Sequence, residues 1–442
     1  TDAENVKFWE SYLVPRLRRY LAEAGSYTNE QQEAHVSFIS AVATALGPRH
    51  PHPHVKSVMT PNGSPIELSL NLSEERPPTA RLYFEPLGPK TGTDDDPFGE
   101  LWTPRSFSCL AAQVASADVR WYQHLDQAFR LKDEGEINSA KRQSRPGVWL
   151  PTMFVGIDFV GGDRLLKCSF CPILKLLATG ADWDHLAKHN QFVLDTVRQL
   201  PGFGANASVA LDVLGKYLVK APRSSASVQD DGVSSGGGGG GDCLQDMGVE
   251  REIGSKAETS KPFFNLVSVD CSNLSSGKAR VKLYARILGT SFASIRDAIT
   301  LGDRLTDETT MEGLRHLQSV WPLLLNDAAF ENDAEYARPM NPESICQGID
   351  VNWEISDELP VPQAKVYIPV HMFHANDFEL HRNLSHVFRK LKWNDWAEGR
   401  YEGMLQRVFP EADFTTTHIN TWVSFCYYKG RGLYITMYHT TP

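Results

Sequence analysis

The sequence predicts an α/β fold in which a closed sheet is wrapped by helices, and three observations carry that prediction. First, strands with one cationic and aromatic face and one apolar face recur along the chain. Within residues 280–285, Arg280, Lys282 and Tyr284 share one face and Val281, Leu283 and Ala285 the other, because successive side chains of a strand alternate. Related strands carry Arg81, Lys167 with Ser169 and Cys171, Lys365 with Tyr367, and Tyr434 with Tyr438. Second, most of these strands recur at intervals of about 70 to 85 residues, the size of a supersecondary repeat unit. Third, the order of elements reads as helices followed by a strand pair, five times over. Closing such a sheet turns every apolar face out to the helices and every polar face into one shared interior.

Taken in order, residues 4–24 and 28–46 read as two helices, with Thr28 and Gln31 as a capping-box signature. His50, His52 and His54 alternate with prolines, which favours an extended surface loop that spreads the imidazoles rather than a metal site. Strands are predicted over 65–71 and 80–86, the first presenting Glu67, Ser69 and Asn71 on one face against Ile66, Leu68 and Leu70 on the other. A helical stretch over 105–132 leads to strands over 152–159 and 164–172. Helices over 183–200 and 206–220 precede strands over 263–270 and 278–286. Helices over 290–301 and 308–325 precede strands over 349–356 and 364–370, and helices over 376–392 and 396–408 precede strands over 415–427 and 432–439. Residues 222–262, with six consecutive glycines, cannot recover their ordering entropy by burial and read as a flexible Gly/Ser-rich insert within a single domain spanning 1–442. The glycine run lacks the Lys-Ser/Thr of a phosphate-binding loop.

The net charge of −10 argues against a nucleic-acid partner. Seven cysteines without framework spacing suggest free thiols in a reducing compartment. Cys168 and Cys171 form a CxxC, but residues three apart on a strand face opposite ways and no second ligand pair follows. No apolar run approaches the ~20 residues of a membrane span, so the expected location is cytoplasmic, with no membrane partner, as a monomer or homodimer.

The predicted interior gathers Arg81, Lys167, Arg280, Lys282 and Lys365. Unpaired cations are costly to bury dry, so such a lumen implies water or an anionic ligand, and a diphosphate suits several fixed cations. Tyr284, Tyr367, Tyr434 and Tyr438 fall on the same face, and aromatic faces stabilise a desolvated cation by up to ~2 kcal/mol. Anion sites beside an aromatic collar suit a reaction that expels diphosphate and leaves a carbocation shielded from water. Asp94, Asp95 and Asp96 precede Pro97 in a solvated turn rather than an aspartate-rich helix, so the cations are expected to replace a metal. Glu67 is the best placed base, or alternatively an ion-pair partner for the interior cations. Trp422, grouped inward with His418, Asn420 and Ser424, would stack on an acceptor or serve as a core aromatic.

These residues resemble the fungal aromatic prenyltransferases of the dimethylallyltryptophan synthase type. The resemblance runs from the strand of Ile66 and Glu67 to Tyr434 and Tyr438, and is most specific at Arg280-x-Lys282-x-Tyr284 and Lys365-x-Tyr367-x-Pro369. It implies a ten-stranded antiparallel β-barrel ringed by helices, built from five ααββ repeats. It implies metal-independent transfer of a dimethylallyl group from dimethylallyl diphosphate to an aromatic acceptor, with no cofactor. Carried over by position, Glu67 is the acceptor-binding base. Arg81, Lys167, Arg280, Lys282 and Lys365 hold diphosphate, and Tyr284, Tyr367, Tyr434 and Tyr438 shield the allyl cation. Ile66, Phe154 and Trp422 contact the acceptor. Ser169 and Cys171 stand where tryptophan-using relatives carry tyrosines, and Phe154 where they often carry lysine. A thinner shield and a differently shaped pocket are therefore expected, with a tryptophan derivative, a tryptophan-containing cyclic dipeptide, another indole or a phenolic polyketide as acceptor. A non-catalytic anion-binding barrel is the alternative from another class.

Overall fold

The computed structural model describes residues 2–144, 149–180, 185–219, 262–331, 333–340 and 348–440. The insert read over 222–262 lies outside the described residues except for Pro262. Ten strands close into one barrel in which every neighbouring pair is antiparallel. They are β1 (Ile66–Ser73), β2 (Thr79–Phe84), β3 (Met153–Val160), β4 (Asp163–Phe170) and β5 (Phe264–Asp270). The second half comprises β6 (Arg280–Ile287), β7 (Ile349–Ser356), β8 (Gln363–Ile368), β9 (Asn420–Tyr428) and β10 (Gly432–Thr440). Hairpin neighbours follow the chain round the ring, and β1 pairs with β10 to close it. β4 and β5, on either side of the 222–262 stretch, pair directly.

The strands form because their alternation satisfies two environments at once. Outward residues such as Leu68, Leu70, Val155, Ile157, Val281, Leu283, Val351 and Trp353 are essentially fully buried and join the helices in one hydrophobic cluster. Each such side chain contributes roughly 1.5–3 kcal/mol by leaving water. Trp353 also donates its indole N–H to the Ala298 carbonyl at 3.1 Å, tying β7 to the helix Phe292–Thr300. The helix Asn29–Ser37 carries the predicted capping box at Thr28 and Gln31.

Several boundaries differ from expectation for local reasons. The stretch expected as one helix over 105–132 is two, Trp102–Ala111 and Arg120–Phe129, and ahead of the second, whose N-cap is Val119, Asp118 accepts the Arg120 N–H at 3.2 Å. Glu134–Gln143 and Ile173–Ala178 are further helices. β9 begins at Asn420 rather than 415: Asp413 accepts the Thr415 N–H, and Asp377 accepts those of Ile419 and Asn420, so the backbone before β9 is held by side chains instead of a ladder. The His50–His54 loop is turned rather than extended, since His52 Nδ1 accepts the backbone N–H groups of His54 and Val55. Asp96 is buried and holds the Leu101 N–H, whereas Asp94 and Asp95 are exposed.

Candidate active site

Antiparallel alternation fixes the geography of the lumen. Odd strands start and even strands finish at one end, so Glu67, Phe154 and Trp422 lie toward that end, while Arg81, Lys167, Arg280 and Lys365 lie deeper or toward the other. All of them line one cavity of about 480 Å3, within the range of small-molecule sites. It is also lined by Lys282, Tyr284, Tyr367, Tyr434 and Tyr438. Ile66 is the exception among the predicted site residues. It adjoins Glu67 on β1, so its side chain points the opposite way and is buried in the core against the helices.

The predicted cations gather, but they are not unpaired as expected. Register places Asp158 opposite Arg81, Asp270 opposite Lys167 and Glu354 opposite Lys282. Lys167 Nζ lies 2.5 Å from Asp158, whose other oxygen is 3.3 Å from Arg81 Nε. Asp270 takes Arg280 at 2.6 Å and Lys282 at 3.4 Å, and Glu354 takes Arg280 at 3.4 Å. Lys365 instead donates to Thr436 Oγ1 at 3.0 Å and sits over the Tyr434 ring at 4.7 Å. Among the described residues no carboxylate lies within ion-pair distance of Lys365. Five cations thus face three carboxylates, a formal excess of two positive charges in a buried site.

Burial and charge set the protonation states. Burial pulls Lys167 and Lys365 down to about 7, in Lys167 against the opposing pull of Asp158. Burial alone would raise Asp158, Asp270 and Glu354, but the surrounding Arg and Lys charges outweigh it and hold all three below the usual carboxylate range. Lys282 is raised despite its burial, through Asp270 and Glu354.

Above this cluster the tyrosines form a collar. Tyr367 packs against Tyr284 and Tyr438 with ring centroids 5.5 and 5.9 Å apart. Asn352 Nδ2 donates to the Tyr367 hydroxyl at 2.9 Å, and Arg81 donates to the Tyr434 hydroxyl. Two further tyrosines line the cavity, Tyr83 on β2 and Tyr428 on β9, while Ser169 and Cys171 add no aromatic ring to its wall. Ser169 donates to Ser268 at 2.9 Å. Tyr83 follows the same alternation as Arg81 and was legible from it; it lies against Gly156, where an added Cβ would stand 2.6 Å from its ring.

Glu67 stands apart from the ion pairs. Burial pushes its carboxyl up to about 8, opposed by one donor, the Thr421 hydroxyl at 2.8 Å. The alternation that grouped Trp422 with Asn420 and His418 fails here. The β9–β10 pairing slips, so that Met437 faces Val423 but His439 faces Asn420, leaving an extra residue on β9. The bulge brings both Thr421 and Trp422 to the cavity side. Asn420 points outward to Asp377, His381 and Tyr401, and His418 lies before the strand and contacts the His374 carbonyl. Trp149 and Met59, not foreseen, complete the wall, Trp149 donating its indole N–H to buried Glu85 at 2.5 Å. Cys168 on β4 faces the core, and Cys171, just past the end of β4, lines the cavity.

The family model for tryptophan dimethylallyltransferase matches residues 5–404. The indole prenyltransferase tdiB of Emericella nidulans is 30% identical over 450 residues, covering 99% of this chain and 95% of that protein. A 7-dimethylallyltryptophan synthase of Aspergillus fumigatus is 27% identical over 451 residues, covering 99% and 85%. The fold matches that of AnaPT from Neosartorya fischeri with a TM-score of 0.76 at 23% identity, over 98% and 94% of the two chains. It matches NotF in complex with brevianamide F and DMSPP with a TM-score of 0.72 at 24% identity, over 96% and 92%. A closed ten-stranded barrel with this lumen and these relatives is an aromatic prenyltransferase, a transferase built on the ABBA barrel. The chain belongs to the tryptophan dimethylallyltransferase family.

Proposed function

We propose that this enzyme transfers a dimethylallyl group from dimethylallyl diphosphate to an aromatic carbon of an indole, as a tryptophan derivative or a tryptophan-containing cyclic dipeptide, without a metal ion. The observation that carries the reading is a net-positive cluster, a tyrosine collar and a carboxyl raised to about 8 in one lumen. Arg81, Lys167, Arg280, Lys282 and Lys365 bind the diphosphate and stabilise its charge as the C–O bond breaks. Tyr284, Tyr367, Tyr434 and Tyr438 surround the allyl cation and keep water from it. The indole carbon attacks that cation, and Glu67 takes the proton lost as aromaticity returns. Phe154 and Trp422 pack the acceptor. The chain is one barrel domain, in which residues 222–262 lie in sequence between the helix Ala205–Val219 and β5. The chemistry requires no partner beyond the two small-molecule substrates.

The relative named a 7-dimethylallyltryptophan synthase and the NotF complex with brevianamide F and DMSPP support this choice of donor and acceptor. The test is an incubation with EDTA, dimethylallyl diphosphate and a panel of indoles and cyclic dipeptides, read by mass spectrometry. A five-carbon addition is expected with the wild type. Glu67→Gln is expected to lose at least a hundredfold in turnover while still binding inorganic diphosphate. Undiminished turnover in that variant removes Glu67 from the base role, and dependence of the wild type on added metal refutes the metal-free reading.

A further inference from the structure

Outside the barrel wall, between β9, β10 and the surrounding helices, lies a buried polar network that the scheme above does not use. Its centre is Asp377, in the first turn of the helix Asp377–Lys390. The Asp377 carboxylate accepts the backbone N–H of Ile419 at 2.6 Å and of Asn420 at 3.0 Å, the Thr417 hydroxyl at 2.7 Å and the Asn420 side-chain amide at 2.8 Å. That amide also donates to His381 Nε2 at 3.0 Å. Tyr401, from the helix Arg400–Val408, contacts the Asn420 side-chain oxygen and lies 2.7 Å from Nε2 of His439 on β10. Nδ1 of His439 lies 2.8 Å from the hydroxyl of Tyr20 on the helix Asp2–Ala24. All six residues, Tyr20, Asp377, His381, Tyr401, Asn420 and His439, are buried.

The proton order of this network is fixed. A carboxylate only accepts, so Asn420 turns its amide nitrogen to Asp377 and leaves its oxygen to Tyr401. Tyr401 therefore donates to Asn420, its own oxygen takes the N–H of His439 Nε2, and His439 Nδ1 takes the Tyr20 hydroxyl proton. Burial pulls His439 down to about 3, which keeps the neutral ring that this order needs.

The position of the tie on β9 links it to the lumen. Asn420 and His439 stand opposite each other at the step where the β9–β10 ladder slips. In an unbroken strand counted back from Val423, which is buried in the core, Trp422 and Asn420 would point inward and Thr421 outward. Hydrogen bonds that hold Asn420 outward thus keep Thr421 inward, where its hydroxyl reaches Glu67 at 2.8 Å. His371 holds the same residue by its backbone, donating Nδ1–H to the Thr421 carbonyl at 2.8 Å. A tie that only fastened a helix to the barrel could fall anywhere along β9, whereas this one falls on the residue that sets the bulge. Among the described residues, the titratable groups facing Glu67 are Tyr83 opposite it on β2, Tyr438 on β10 and Tyr20. Burial pushes these tyrosines up and pulls His371 and His381 down, so none of them changes charge where Glu67 titrates.

We propose that Asn420 and Asp377 are positioning residues for Glu67, holding from outside the barrel the β9 bulge through which the Thr421 hydroxyl reaches its carboxyl. Their part in catalysis rests on the prenyl-transfer reading, in which Glu67 is the base.

The test follows the Glu67 carboxyl directly, by 13C NMR of the full chain labelled at glutamate, with its signal identified by its loss in Glu67→Gln. In Asn420→Leu the Glu67 titration is expected to move up by about one pH unit, the loss of one hydrogen bond to a carboxylate. The acid limb of the pH–rate profile is expected to move with it. Tyr401→Phe, which removes a single hydroxyl from the network, is expected to give a smaller shift of the same sign. The Thr421→Val background separates positioning from general structure, because there Asn420→Leu is expected to add nothing further. An unmoved Glu67 titration in Asn420→Leu, or an equal additional shift in the Thr421→Val background, overturns the proposal. Should Asn420→Leu fail to fold, Tyr401→Phe decides alone, and an unmoved titration there overturns it. A wild type that forms no product while the Glu67 titration shifts as expected refutes prenyl transfer and upholds the link from Asn420 to Glu67.

Discussion

Glu67 is a carboxyl that burial has pushed up to about 8, with the Thr421 hydroxyl as the one side-chain donor working against that rise among the described residues. A carboxyl raised above its unfolded value gives its full stability contribution below that unfolded value, and the contribution is lost as pH rises through the folded one. Glu67→Gln removes this titration. Its melting temperature is therefore expected to gain on the wild type progressively between about pH 4.5 and 8, and thermal melts with a constant offset across that range would contradict the assignment. For turnover the sign is reversed, because a base must be ionised: activity rises with pH through the Glu67 titration. Thr421→Val deletes the opposing hydrogen bond, so the acid limb of the pH–rate profile is expected to move to higher pH. A limb that stays in place or moves down would show that Thr421 does not act on Glu67.

At the scale of the strand, two bulges separate what the sequence discloses from what it conceals. Period-two alternation placed Arg81, Lys167, Arg280, Lys282, Lys365 and four tyrosines on the lumen face, because an unbroken ladder preserves parity over its whole length. One extra residue resets that parity. Neither the Asn420–Trp422 bulge nor the Asn265 bulge carries a glycine or proline to announce it, so the inward turn of Thr421 and the outward turn of Asn420 were not legible. The partner carboxylates are hidden from the sequence for a different reason. Asp158, Asp270 and Glu354 each sit on a lumen face, but their meaning depends on which residue stands across the ladder, and single strands do not contain that register. Gly156 makes the same point through shape: it faces Tyr83 across β2–β3, and a methyl group there meets the ring at 2.6 Å. Gly156→Ala is expected to cost about 1–3 kcal/mol by overpacking, read as a lower urea midpoint at unchanged m-value. Combining it with Tyr83→Ala should return part of that loss, and strictly additive losses would disprove the clash.

At the scale of the whole molecule, a protein of net charge −10 encloses a site with two formal positive charges in excess. The surrounding low dielectric makes that excess costly until an anion arrives, so binding and folding stability are linked. Inorganic diphosphate at a hundredfold over its Kd is expected to add ~2.7 kcal/mol to stability. Lys282→Met should lose most of the resulting rise in melting temperature. An equal rise in that variant would place the anion elsewhere.

Ring closure has a further consequence, in time rather than space. Glu67 and the hydroxyl that holds it are 354 residues apart in the chain, and β1 finds its second neighbour only in β10. Contacts so distant in sequence form late, because their loop-closure entropy must be met before they stabilise anything. The proposed base and its donor meet only when β10 docks between β1 and β9, so the acceptor end of the lumen is the part of the site that depends most on ring closure.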